Sequence, residues 1–209
     1  MPRPPILKIA EVFASFQGEG GRQGEPTIFV RLAGCNLSCD FCDTKSARRG
    51  GRPVSVPRIV SRAERLNGRF PAAWVCLTGG EPMLQDIGPL VSGLKNTGFR
   101  VQVETNGTVF RATAADRITV SPKPPAFACH PAVRKKAAEV KLVVSRGLTL
   151  AAVERVRMAY PAAIPVFLQP VSNAGWSRDK ALRLAKSAVR SGLKNIRLSL
   201  QLHRVYGIR

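Results

Sequence analysis

The 209-residue sequence predicts an α/β protein, a partial (βα)6-type barrel with an open parallel sheet of about six strands, formed by a single domain over residues 1–209. Three observations predict it. Short apolar runs alternate with segments whose apolar residues recur at helical spacing, the order expected when crossover helices join parallel strands. Polar, glycine-rich motifs follow the runs, at the strand ends where such sheets and barrels assemble their sites. A closed eightfold barrel usually takes ~250 residues, more than this chain has, so loops must stand in for some helices.

In chain order, a short strand is expected around Leu7–Phe13, then a glycine-rich turn, Gln17-Gly18-Glu19-Gly20-Gly21. Ile28–Ala33 is the first central strand. Residues 45–57, rich in Arg, Gly and Pro, read as an exposed loop. A helix follows Pro57, with Ile59, Val60, Ala63 and Leu66 on its buried face. The strand Ala73–Thr78 runs into Gly79-Gly80-Glu81-Pro82, and a helix carries Met83, Leu84, Ile87, Leu90, Val91 and Leu94. Further strands are expected at 100–103, 117–120, 138–144, 164–168 and 196–200, with helices near 149–160 and 177–191.

The totals narrow the function classes. Hydrophobic content of 44% against 22% charged residues fits a packed chain and not a disordered one. Neither a run long enough to span a bilayer nor a signal peptide is recognisable, so no membrane association is expected. Clustered thiols outside any disulfide framework point to a reducing compartment, and the cytoplasm is the expected location. Lys plus Arg number 33 against 13 Asp plus Glu, a formal charge of +20. The basic residues are dispersed, aromatics are only 6%, and no nucleic-acid module is recognisable, so stacking on bases is disfavoured. An acidic protein partner and an anionic substrate suit the charge better.

The chemistry concentrates in Gly34-Cys35-Asn36-Leu37-Ser38-Cys39-Asp40-Phe41-Cys42-Asp43-Thr44. Three thiols at C-x3-C-x2-C supply three ligands. The remaining Cys76, Cys129, His130 and His203 do not form the paired knuckles usual for structural zinc. Three thiolates suit a cubane iron–sulfur cluster with one iron left open. Thr78-Gly79-Gly80-Glu81-Pro82 adds a turn whose two glycines let backbone approach a ligand closely.

The cysteine spacing resembles the signature of the radical S-adenosylmethionine (SAM) enzymes. Ser15–Gly20, Arg31–Leu37, Cys39–Thr44, Thr78–Leu84, Glu104–Gly107, Ser121–Lys123, Gln169-Pro170 and Leu198–His203 together resemble, in order, the 7-carboxy-7-deazaguanine synthases. That resemblance implies a radical SAM barrel and conversion of 6-carboxy-5,6,7,8-tetrahydropterin to 7-carboxy-7-deazaguanine with loss of ammonia, on the route to queuosine and related 7-deazapurines. It implies a 4Fe-4S cluster on Cys35, Cys39 and Cys42, and SAM contacts from Phe41, Cys42, Asp43, Gly80, Ser121, Pro122, Lys123, Gln169, Pro170, Val171 and Ser172. Thr44 would be a Mg2+ ligand, since a hydroxyl is a hard donor suited to an ion that keeps waters and holds a substrate carboxylate. Phe16, Gln17, Gly18, Arg31 and Thr78 would contact substrate, the guanidinium by its fork geometry, and Arg209 would bring its terminal carboxylate there. Glu19, Glu104, Asn106 and His203 are secondary candidates. A homodimer and an acidic electron donor such as a flavodoxin-type protein are also implied. No residue stands out as a general acid or base.

Two rivals follow from the same residues. A radical SAM activase acting on a partner protein would share the three-cysteine loop without the Gln-Gly-Glu-Gly turn and Cys-Asp-Thr. A zinc-stabilised RNA-binding protein would account for the charge.

Overall fold

The computed structural model describes residues 3–208, which fall into two compact units. One comprises residues 3–16, 25–105 and 109–118; the other comprises 17–24, 106–108 and 119–208.

The first unit holds a mixed sheet in the order β3-β1-β2-β4-β5. Strands β2 (Pro26–Leu32), β4 (Trp74–Gly79) and β5 (Arg100–Thr105) run parallel, with Val30 opposite Leu77 and Val75 opposite Val101. Ile28, Val30, Leu32, Val75, Cys76 and Leu77 are wholly buried, as expected of parallel strands covered on both faces. Helices α2 (Val56–Asn67) and α3 (Gly88–Asn96) bury Val56, Ile59 and Ala63, and Leu90, Val91 and Leu94. The expected helix through Met83 starts later, because Pro82–Leu84 forms a separate 3-10 turn. Strand β1 (Ile6–Phe16) pairs antiparallel with β2 and is longer than its apolar run suggested.

Residues 45–57 differ from expectation. They contain α1 (Lys45–Arg49) and β3 (Arg52–Ser55), not an open loop. β1 supplies the partner: Leu7 lies opposite Val54 and Ile9 opposite Arg52, so main-chain bonds override a poor strand composition.

The second unit carries β6 (Arg117–Val120), whose last two residues belong to it, then β7 (Glu139–Val144), β8 (Val166–Pro170) and β9 (Ile196–Leu198). All are parallel, with Thr119 opposite Glu139, Leu142 opposite Leu168, and Leu168 opposite Leu198. Seven strands among the described residues therefore lie parallel to a neighbour, three in one unit and four in the other. The helices are α4 (Pro131–Lys135), α5 (Leu150–Met158), α6 (Gly175–Arg190) and α7 (Leu202–Tyr206). Thr149 caps α5 by accepting from the Ala152 amide at 3.2 Å. Along β7 the polar Glu139 and Lys141 share one face, while Val140, Leu142 and Val144 take the other. No helix among the described residues is long and apolar enough to cross a membrane.

Candidate functional site

In the first unit the cysteine loop leaves the end of β2. Its three thiols form no disulfide and are half-buried, and the Cys42 amide donates to the Cys39 carbonyl at 3.2 Å. The loop is rooted by main-chain bonds: the Gly34 amide donates to the Ala47 carbonyl at 2.8 Å, and its carbonyl accepts from the Glu81 amide at 2.8 Å. The Gly80 amide donates to the Leu32 carbonyl at 3.0 Å. Approach is so close that a Cβ on Gly79 would lie 2.1 Å from the Leu32 oxygen, and one on Gly80 1.9 Å from the Gly34 oxygen and 3.2 Å from Cys35 Cβ. Both glycines are therefore obligatory, and the Gly79 φ of +121° is itself a glycine conformation.

Three thiolates on one rooted loop form a soft donor set that fits three corners of an iron–sulfur cubane. Glu81 does not reach outward with the glycines. It is fully buried, accepting from the Met83 amide at 3.0 Å and from Thr105 Oγ1 at 2.7 Å, and so ties the end of β4 to the end of β5. Gln85, which the sequence did not single out, brackets the loop root. Its Nε2 donates to the Lys8 and Ala33 carbonyls, both at 3.0 Å, and its Oε1 accepts from the Lys8 amide at 2.7 Å.

Arg31 and Thr78 sit opposite each other on β2 and β4. The Arg31 Nε pairs with Glu11 at 2.7 Å, its guanidinium lies over the Phe13 ring, and its Nη1 reaches Thr44 Oγ1 at 3.4 Å. Thr44 precedes α1 without capping it by its side chain; its hydroxyl donates to Asp43 Oδ1 at 2.8 Å. One hydroxyl oxygen beside a carboxylate is a hard donor set that fits Mg2+ as a minor ligand. Phe41 is half-buried and Asp43 exposed. Phe16 is exposed, edge-on to Phe70, and Glu104 is half-buried near the end of β5.

The second unit gathers a polar network. Glu19 accepts from Lys141 Nζ on one oxygen and from Gln201 Nε2 at 2.8 Å on the other. Burial disfavours its charged form, but Lys141, Gln201 and the nearby His203 outweigh that, and the carboxyl is held below its ordinary range. The adjoining turn is closed on itself: the Gln17 carbonyl accepts from the Gly24 amide at 2.8 Å, and the Gly18 carbonyl from the Leu202 amide at 2.9 Å. His203 sits over Gly18, where a Cβ would lie 2.4 Å from its Nδ1.

Ser121 donates to the Lys141 carbonyl at 2.8 Å and accepts from Lys123, with Pro122 between them. Gln169 is buried; its Oε1 accepts from Ser199 Oγ at 2.7 Å, while its buried Nε2 has no partner among the described residues. That orphaned donor fits a polar cofactor group. Pro170 and Val171 lead to Ser172 and Asn173, both left-handed, and Asn173 bonds the Gln201 backbone on both sides of its amide. Asn106 closes its own turn onto Thr108. Sequence reading did not single out Lys141 and gave Gln201 only as part of the Leu198–His203 motif, with no role of its own; Glu139 and Lys141 alternating inside an apolar strand were a usable signal. Arg209 lies outside the described residues.

A model of the radical SAM superfamily matches residues 29–131. The chain is 36% identical over 211 residues to 7-carboxy-7-deazaguanine synthase of Methanospirillum hungatei JF-1, covering 97% of this chain and 86% of that protein. It is 35% identical to the protein of the same name from Bacteroides thetaiotaomicron, covering 98% and 100%. The crystal structure of QueE from Escherichia coli superposes with a TM-score of 0.79 at 28% identity, covering 94% of each chain.

Replacing Gly80 by Ala should force the Cys35 loop away, leaving a folded chain with most of its iron and sulfide loading lost after anaerobic reconstitution. Normal loading would show that the contact is dispensable. For Glu19, the lowered native pKa means its contribution to stability is complete above its ordinary 4.5 and fades as pH falls through the native value. The thermal midpoint should accordingly fall more steeply below pH 4.5 in the wild type than in Glu19→Gln; parallel acid limbs would remove Glu19 from that role.

Proposed function

The chain belongs to the 7-carboxy-7-deazaguanine synthases of the radical SAM superfamily, a class that works with a 4Fe-4S cluster and SAM, and from that membership we propose that it converts 6-carboxy-5,6,7,8-tetrahydropterin to 7-carboxy-7-deazaguanine with release of ammonia. One observation carries the reading: the three-thiol loop, the Gly79-Gly80 edge and the Arg31–Thr44 contact occupy adjoining ends of β2 and β4 in one unit. Near-full-length similarity to proteins of that name supports it.

When bound, the cluster and SAM would supply the radical chemistry at substrate C6. Substrate equals product plus ammonia, so the ring contraction consumes no net oxidant. The chain's own residues hold and orient. Cys35, Cys39 and Cys42 ligate the cluster. Phe41, Asp43 and Gly80 are assigned to SAM on the first unit, and Ser121, Pro122, Lys123 and Gln169–Ser172 on the second. Gln169 Nε2, buried and unpartnered, is the donor best placed to need such a ligand. Thr44 offers its oxygen to Mg2+, which would fix the substrate carboxylate and limit its motion at the reacting carbon.

Arg31, already neutralised in part by Glu11, presents its remaining fork nitrogens to substrate, with Phe16 and Thr78 assigned to substrate on the same unit and the Gln17-Gly18 turn on the other. Residues 1–209 are read as one catalytic domain, working as a homodimer in the cytoplasm and reduced by an acidic electron carrier.

Anaerobic incubation of the reduced, reconstituted protein with SAM and the carboxylated pterin should yield 7-carboxy-7-deazaguanine and ammonia; their absence would overturn the reading. Thr44→Ala should lose most of the stimulation by Mg2+ while binding SAM normally by equilibrium dialysis. An undiminished Mg2+ response would remove Thr44 from the metal.

A further inference from the structure

Strand β7 presents two ionisable side chains on one face, Glu139 and Lys141, while its other face is apolar. They are 1% and 6% exposed, an environment that disfavours charge unless the partners are well placed. Both reach the same short segment, the glycine-rich turn of residues 17–21. Lys141 Nζ donates to Glu19 Oε2, and Gln201 Nε2 donates to the other Glu19 oxygen at 2.8 Å. Glu139 Oε2 accepts from the Gly21 amide at 2.8 Å, and its Oε1 from Thr119 Oγ1 on β6 at 2.8 Å. The turn is pressed onto that carboxylate: a Cβ on Gly20, whose φ is +71°, would lie 2.5 Å from Glu139 Oε1.

The main chain of Lys141 meets a second segment. Its carbonyl accepts from Ser121 Oγ at 2.8 Å, and Ser121 in turn accepts from Lys123. One residue therefore holds the turn assigned to substrate by its side chain and the turn assigned to SAM by its backbone. Changing the side chain alters the first connection and leaves the atoms of the second in place. Stability alone accounts poorly for the ion pair, because apolar residues of similar volume often match a buried pair.

We propose that Lys141, together with Glu139, is a positioning residue for the pterin substrate: from one face of β7 the two hold the Gln17-Gly18 segment in the shape that receives it, an inference that rests on the catalytic reading above. Lys141 acts through Glu19 and not on the substrate. Its cation matters more than its bulk, since a carboxylate enclosed in that position and deprived of its ammonium partner must find another donor, and the turn moves with it.

The test uses the full, anaerobically reconstituted chain, with SAM, the carboxylated pterin, and 7-carboxy-7-deazaguanine as a binding probe. Lys141→Met should raise KM for the pterin about tenfold or more, with kcat within about threefold of the wild type. Affinity for 7-carboxy-7-deazaguanine by equilibrium dialysis should fall in step. SAM affinity should stay within about twofold, which also reports intact folding and loading. Lys141→Arg restores the cation and should bring KM back to within about threefold of the wild type.

If Lys141→Met loads no cluster, Lys141→Gln replaces it, keeping an N–H donor without the charge, with KM raised about threefold or more. Unchanged KM and probe affinity overturn the proposal, whether or not kcat falls. So do SAM and probe affinities that fall together, the mark of a merely structural role, and Lys141→Arg binding as weakly as Lys141→Met. Absence of product from the unmodified protein would sink the catalytic reading instead, a result separate from the comparison of variants.

Discussion

The first unit depends on one close approach of main chain to main chain. Gly79 and Gly80 come against Leu32 and Gly34 with no room for a side chain, and the two amides that follow, Gly80 and Glu81, bond to the carbonyls that begin the thiol loop. Parallel pairing of β2 with β4 brings those strand ends level, with Leu32 opposite Gly79. The adjacent chemistry then follows from chain order. Cysteines leave one strand end, a bare backbone edge leaves the other, and Arg31 and Thr78 stand one register position behind. A fully buried carboxylate, Glu81, makes this tolerable, because its oxygen takes up Thr105 Oγ1 and an amide that would otherwise be stranded at the turn.

The second unit positions its glycine-rich turn differently, by charge. Glu19 and Lys141 are separated by 122 residues in sequence and meet almost out of water. Such a pair is weak evidence for stability, since desolvation offsets much of the attraction. What it supplies is position. With Gln201 on its second oxygen, Glu19 fixes the turn that includes Gln17 and Gly18, and His203 closes over the same turn.

Much of this was legible in sequence because it depended on local pattern. All the apolar runs after the first became parallel strands, and the C-x3-C-x2-C loop and Gly-Gly turn fell at strand ends where the α/β reading put them. Features that depend on a distant partner were not legible. Residues 52–55 are poor strand formers, and only the row of donors and acceptors along Ile6–Ile9 makes them β3. The inward turn of Glu81 requires Thr105 from another strand. Lys141 finds its partner 122 residues away, although a charge alternating with apolar residues inside a strand could have marked it.

Gln85 and the main chain grip Ala33 and Gly34 using only amides and carbonyls, so the base of the thiol loop is held by bonds that involve none of its sulfurs. In a zinc finger, metal binding and folding are one event. At the root of this loop the hold is made by main chain and one amide side chain, and none of it passes through a thiolate.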